Sequence, residues 1–118
     1  MKSVLVIAVG VLCSVSLFAA KGGGKPAGNT LSAICTANGD SEDACIATAN
    51  GLVAGKTYRI EVRSNCSDIN RVTFTAVAGA NTIPITAPET NDGNCTTQTF
   101  FFYLYLGNKQ VATTSVAD

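Results

Sequence analysis

KTYRIEVRS, residues 56–64, alternates without a break: Tyr58, Ile60 and Val62 are apolar, and Arg59, Glu61 and Arg63 between them are charged. A period of two sends successive side chains to opposite faces, so this stretch reads as a strand with one face in a core and the other in water. RVTFTAVA (71–78) repeats the pattern, with Val72, Phe74 and Ala76 set against Thr73, Thr75 and Val77. Outward from these two, the chain from Leu31 onward is rich in Thr, Val, Ile, Ala and aromatics. Gly, Asn, Asp or Pro interrupt it about every eight to twelve residues, the rhythm of an all-β sandwich. The spacing predicts strands over Leu31–Ala37, Ala44–Ala49, Lys56–Ser64, Arg71–Ala78, Asn81–Ala87, Gln98–Leu106 and Lys109–Ala117.

The run Phe100-Phe-Phe-Tyr-Leu-Tyr-Leu106 is apolar on both faces of its strand. Phe100, Phe102, Leu104 and Leu106 form one set, Phe101, Tyr103 and Tyr105 the other. A tyrosine hydroxyl prefers water or a partner, so the aliphatic-tipped set is assigned to the core and the tyrosine set outward. The outcome is an aromatic stripe beside the Arg59 and Arg63 face of the neighbouring strand. Leu106-Gly-Asn-Lys109 reads as a tight hairpin, because Gly-Asn tolerates the positive φ of such turns. Pro84 cannot donate to a ladder, which marks Asn81–Ala87 as an edge or bulged strand.

The first twenty residues carry Lys2, an apolar stretch from Val4 to Phe18, and Ala19-Ala20. That is the layout of a secretory signal peptide over 1–20, at the short limit for a bilayer span. Cys13 follows Leu12, whereas lipid-modified signals need a small residue there. KGGGKPAGNT (21–30) reads as a flexible Gly-rich tether, leaving one domain over 31–118. Removal of the leader takes Lys2 and Cys13 with it, leaving seven basic residues against eight acidic ones. A near-neutral chain offers no long-range field for nucleic acid or an anionic membrane. Cys35, Cys45, Cys66 and Cys95 remain, and an even count in a small exported domain reads as two disulfides. Three pairings are open at this point.

ATANGLVAGKTYRIEV (Ala47–Val62), AGANTIPITAP (Ala78–Pro88) and FYLYLGNKQVATTSV (Phe102–Val116) fall in a familiar order. Together they resemble a bacterial immunoglobulin-like domain of secreted or surface proteins, over nearly all of Ala44 to Asp118. Leu52, Gly55 and Tyr58 also resemble the tyrosine corner of fibronectin-type domains. The resemblance implies an immunoglobulin-like sandwich of about seven strands, disulfide-braced and preceded by a signal peptide. If the strands follow that order, the connections holding the four cysteines lie at one end. Proximity there favours Cys35–Cys45 and Cys66–Cys95.

Chemistry is sparse. The chain has no histidine, the commonest general acid–base residue and the usual activator of a serine or threonine nucleophile. No catalytic residue and no cofactor are assigned. Zinc lacks the Cys-x-x-Cys pairs or histidines it needs, so no metal site is expected. Asn38–Asp43 and Asn91–Asn94 offer oxygen ligands suited to calcium but read first as solvated turns. Asn65-Cys66-Ser67 and Asn94-Cys95-Thr96 match the glycosylation triplet and read as chance matches. The expected function is a secreted, non-catalytic binding module, extracellular or in the periplasm or cell envelope. Its expected site is Phe101, Tyr103, Tyr105, Arg59 and Arg63, and its partner a protein or carbohydrate. Self-association through edge strands as an envelope subunit, and a small secreted inhibitor or effector, are the alternative readings.

Overall fold

The computed structural model describes residues 28–37 and 42–118. The expected leader, most of the tether and Asn38–Ser41 lie outside the described residues. The strands are Thr30–Thr36 (β1), Asp43–Asn50 (β2), Thr57–Ser64 (β3), Ile69–Thr75 (β4), Asn81–Ala87 (β5), Thr99–Leu106 (β6) and Lys109–Ala117 (β7). All are antiparallel, in a three-stranded sheet of order β1-β2-β5 and a four-stranded sheet of order β4-β3-β6-β7. The seven expected strands are therefore present and the described residues contain no helix. The largest boundary difference is β4, which begins at Ile69 and stops at Thr75. The pairing with β3 carries just past that end, where Ala76 N–H donates to Lys56 O at 2.9 Å and Gly55 N–H to Ala76 O at 2.9 Å, before the chain crosses to β5 in the other sheet.

The core follows from alternation. Cys45, Ala47, Ala49, Ile85 and Ala87 from one sheet meet Tyr58, Ile60, Val62, Phe100, Phe102 and Leu104 from the other. Small residues on β2 (Ala47, Ala49) and large ones on β6 (Phe100, Phe102, Leu104) share this one core between the two sheets. Each fully buried Phe, Leu, Ile or Val contributes about 1.5–3 kcal/mol. Pro84 sits on β5, whose sole strand partner among the described residues is β2, so it stands on an edge strand as expected.

Two corners are fixed by particular residues. Where the chain leaves β2 for the other sheet, Tyr58 Oη accepts the Val53 N–H at 2.9 Å. Its buried ring stacks on Phe74 at 6.0 Å, so the resemblance to a tyrosine corner extends to the hydrogen bond. Gly51 in this corner has φ 80°, and a Cβ there would meet Gly28 O at 3.0 Å. In the last hairpin Gly107 alone supplies the positive φ, at 62°. A glycine at the first central position with an ordinary second residue is the type II′ arrangement. Val111 is then the extra residue of a bulge, since Leu104 pairs Ala112 while Tyr105 pairs Gln110.

The end of the sandwich holding the β1–β2, β3–β4 and β5–β6 connections is the most heavily tied. Cys35–Cys45 and Cys66–Cys95 are the disulfides, with Cα separations of 4.0 and 5.9 Å. The first bridges directly paired positions of β1 and β2, with Cys45 in the core; it staples strands as well as the loop between them. Loop-closure entropy assigns ~3 kcal/mol to it and ~3.5 kcal/mol to the second. Asn65 ties the β3–β4 turn to the start of β6: its Oδ1 accepts from Gln98 N at 2.6 Å and its Nδ2 donates to Thr96 O at 3.2 Å. With both ends of its amide engaged, Asn65 is a clamp, which agrees with reading its glycosylation triplet as chance.

Candidate functional site

The outer face of the four-stranded sheet carries the expected residues. β3 and β6 are adjacent, with Arg59 opposite Tyr105, Glu61 opposite Tyr103 and Arg63 opposite Phe101. Phe100, Phe102 and Leu104 are buried, Leu106 is half-buried, and Phe101, Tyr103 and Tyr105 face outward. The face assignment of this doubly apolar strand therefore holds. Phe101 is 36% exposed, and the two tyrosines are half-buried by what lies on them.

What lies on them is arginine. The Arg59 guanidinium carbon is 4.5 Å from the centroid of the Tyr105 ring, and that of Arg63 is 4.7 Å from the Tyr103 ring. Such stacking holds a guanidinium flat on a ring while its edge stays available for hydrogen bonds. The two tyrosine rings lie 6.5 Å apart. Arg63 Nη2 also donates to Tyr105 Oη at 3.4 Å.

Glu61 organises this arrangement, and it corrects the reading of a uniformly wet face on β3. It is only 5% exposed. Arg59 Nε lies 3.0 Å and Arg71 Nε 3.2 Å from its Oε2, and Arg63 Nη2 lies 2.9 Å from its Oε1. Burial alone pushes a carboxyl pKa up. Here the hydrogen bonds from Arg63 and Arg71 and the nearby positive charges outweigh it, and Glu61 is held below its ordinary value. Three guanidiniums on one carboxylate leave the face two charges positive, although the chain as a whole is balanced. The Arg-x-Glu-x-Arg spacing put Arg59, Glu61 and Arg63 on one face of β3. Arg71 was missed because only the register, Glu61 opposite Arg71, brings it there.

At the hairpin end of the same face, Thr57, Tyr58, Arg59, Thr73 and Gly107 line a hollow of about 280 Å³. Arg59 Nη1 reaches Gly107 O at 3.5 Å across its rim.

The remaining sequence candidates resolve differently. Asp92 Oδ1 accepts the backbone N–H of Asn94 at 2.7 Å and of Cys95 at 3.0 Å. Its carboxylate closes its own turn, as an Asx turn does. The acidic loop Asn38–Asp43 is described only at its end, where Asp43 is the first residue of β2 and fully buried. Sequence reasoning missed its company: carboxylate oxygens of Asp43, Glu89 and Asp118 lie within 4.8 Å of one another. Burial, then the adjoining Asp118 and Asp43, pushes the Glu89 carboxyl up to about 7. These three residues are far apart in the chain and only the fold gathers them.

Among the described residues, no helix is long and apolar enough to cross a membrane. Comparison of the chain with protein-family models, with curated proteins and with solved structures finds no match.

Proposed function

We propose that this protein is a secreted, non-catalytic, immunoglobulin-like interaction module that presents the outer face of its four-stranded sheet to a protein or glycan ligand. The observation that carries the reading is the pre-ordered Arg59–Glu61–Arg63–Arg71 cluster laid over Tyr103 and Tyr105. Tyrosine and arginine are the residues most enriched at binding hot spots, and side chains already fixed lose little freedom on binding. Strand order supports the immunoglobulin-like part. β1, β2 and β5 form one sheet and β3, β6 and β7 belong to the other, as in constant domains, with β4 on the free side of β3 where variable domains add a strand. Two disulfides suit an oxidising compartment, in line with export by the N-terminal leader.

The test is capture of the tagged, natively secreted protein after mild cross-linking, with wild type and Tyr103→Ser/Tyr105→Ser side by side. A defined partner on wild type that is lost from the variant, with the melting curve kept, is the expected result. Equal capture by both places the ligand elsewhere. Only copies of the protein itself would make it an assembly subunit.

A further inference from the structure

We infer that the ligand of this face is an acidic linear glycan, recognised through its carboxylates by Arg59, Arg63 and Arg71. The inference rests on the preceding reading of the face as a binding site and goes further in naming the ligand's chemistry.

Charge is the first argument. The face is two charges positive on a chain with no net charge, so the excess is local. Each guanidinium is anchored on Glu61, those of Arg59 and Arg63 are also held flat on tyrosine rings, and Arg71 keeps more than half of its side chain in solvent. A planar fork of fixed orientation matches a carboxylate and loses little entropy on pairing. Glu61 therefore sets the spacing of three cations without cancelling them.

Shape decides between an acidic glycan and an acidic peptide. Peptides add to sheets along edges, where backbone groups are unpaired. Arg59 and Arg63 stand on β3, an interior strand paired on both sides, and the tyrosines on β6 are interior too. A protein partner also needs a desolvated apolar centre. The outward aromatic with the most open surface is Phe101, at 36%. The face instead offers a hollow of about 280 Å³ lined by Thr57, Tyr58, Arg59, Thr73 and Gly107, whose apolar walls and threonine hydroxyls suit the face and edge of a sugar ring. Arg59 and Arg63 are four residues apart, about 13 Å along the strand. A stiff polysaccharide lying along β3 meets both with successive acidic sugars and seats a ring in the hollow.

The experiment immobilises the disulfide-intact protein and measures binding of polygalacturonate, neutral dextran and poly-L-glutamate by interferometry. Polygalacturonate should bind and dextran should not. Raising salt from about 0.05 M to about 0.5 M should weaken the complex at least tenfold, since the Debye length shrinks to a few ångströms. Arg71→Gln, a change on an edge strand, should weaken it about tenfold, the worth of one charged hydrogen bond. The salt arm keeps the test valid should that variant misfold. Binding of dextran as strong as that of polygalacturonate, preference for poly-L-glutamate, or no binding of polygalacturonate would each overturn the inference and leave the interaction module standing. The reading of this face as the binding site fails separately, when Tyr103→Ser/Tyr105→Ser changes no capture.

Discussion

The two outward faces of this sandwich are made by the same alternation and have opposite character. On the four-stranded sheet three arginines close over one glutamate, and two of them lie on tyrosine rings. On the three-stranded sheet Ile34, Ile46 and Pro84 line up across β1, β2 and β5. Ser32, Thr48 and Thr82 form the row on one side, Thr36, Ala44 and Thr86 the row on the other. That face carries no charged residue among those outward on its strands. Ile34 is 71% exposed and Ile46 43%. Scattered exposed aliphatics are ordinary on protein surfaces and carry no function by themselves. The difference teaches that exposure of apolar area is the weaker sign of a site here. Side chains held in place by one another are the stronger one.

The largest expected effect is on binding. Tyr103→Ser/Tyr105→Ser should weaken ligand binding about a hundredfold, as loss of two aromatic anchors does. Its unfolding midpoint should move little, because both rings lie outside the core. A variant that fails to fold would mean that the rings are structural, and the contrast between the faces would collapse.

Next comes Glu61→Gln, which should destabilise the fold by about 1–2 kcal/mol, the usual worth of hydrogen bonds to a charged acceptor on a partly exposed face. Its pH signature is specific. Glu61 is held below the ordinary carboxyl value, so its contribution is present above about 4.5 and is lost as pH falls through the lower folded value. Urea melts from pH 6 down to about pH 3 should show that acid-side loss in wild type and not in the variant.

Glu89 sharpens the comparison from the other side. Its folded carboxyl is raised to about 7, from 4.5. The folded state therefore prefers the protonated form, whose contribution is complete below about 4.5 and is lost as pH rises through about 7. Wild type should lose stability over that window, and Glu89→Gln, uncharged throughout, should flatten the loss. Two carboxylates removed from water should thus have opposite pH slopes, set by arginines that outweigh burial in one case and by burial beside two aspartates in the other.

The smallest effect is expected from Ile34→Thr/Ile46→Thr. Both residues stand on an open face, so stability should shift by about 0.5 kcal/mol or less and ligand binding should not change. A loss of binding there would reverse the assignment of faces.

Much of this was legible in the chain because a period of two is a local signal. Tyr58, Ile60 and Val62 against Arg59, Glu61 and Arg63 identify β3 and its inward side without knowledge of any neighbour. The tyrosine set of Phe100–Leu106 could be turned outward because its hydroxyls resist burial. The turn-rich segments located the ends of six strands to within one residue, and those of β4 to within three. Not legible was whatever depends on register between distant strands. Arg71 joins Glu61 only through the β3–β4 pairing, and burial of Glu61 needs the tyrosines of β6 as well. The Asp43–Glu89–Asp118 cluster needs the start of β2, the β5–β6 connection and the chain beyond β7 at one end of the sandwich. No spacing in the sequence announces that meeting.

The central claim is that binding belongs to the arginine–tyrosine face and not to its opposite. The most direct measurement probes one array of extracellular proteins and acidic and neutral glycans with three proteins: wild type, Tyr103→Ser/Tyr105→Ser and Ile34→Thr/Ile46→Thr. The account predicts a wild-type signal that disappears in the tyrosine variant and persists in the isoleucine variant. A signal that survives loss of the tyrosines and vanishes with the isoleucines would contradict it.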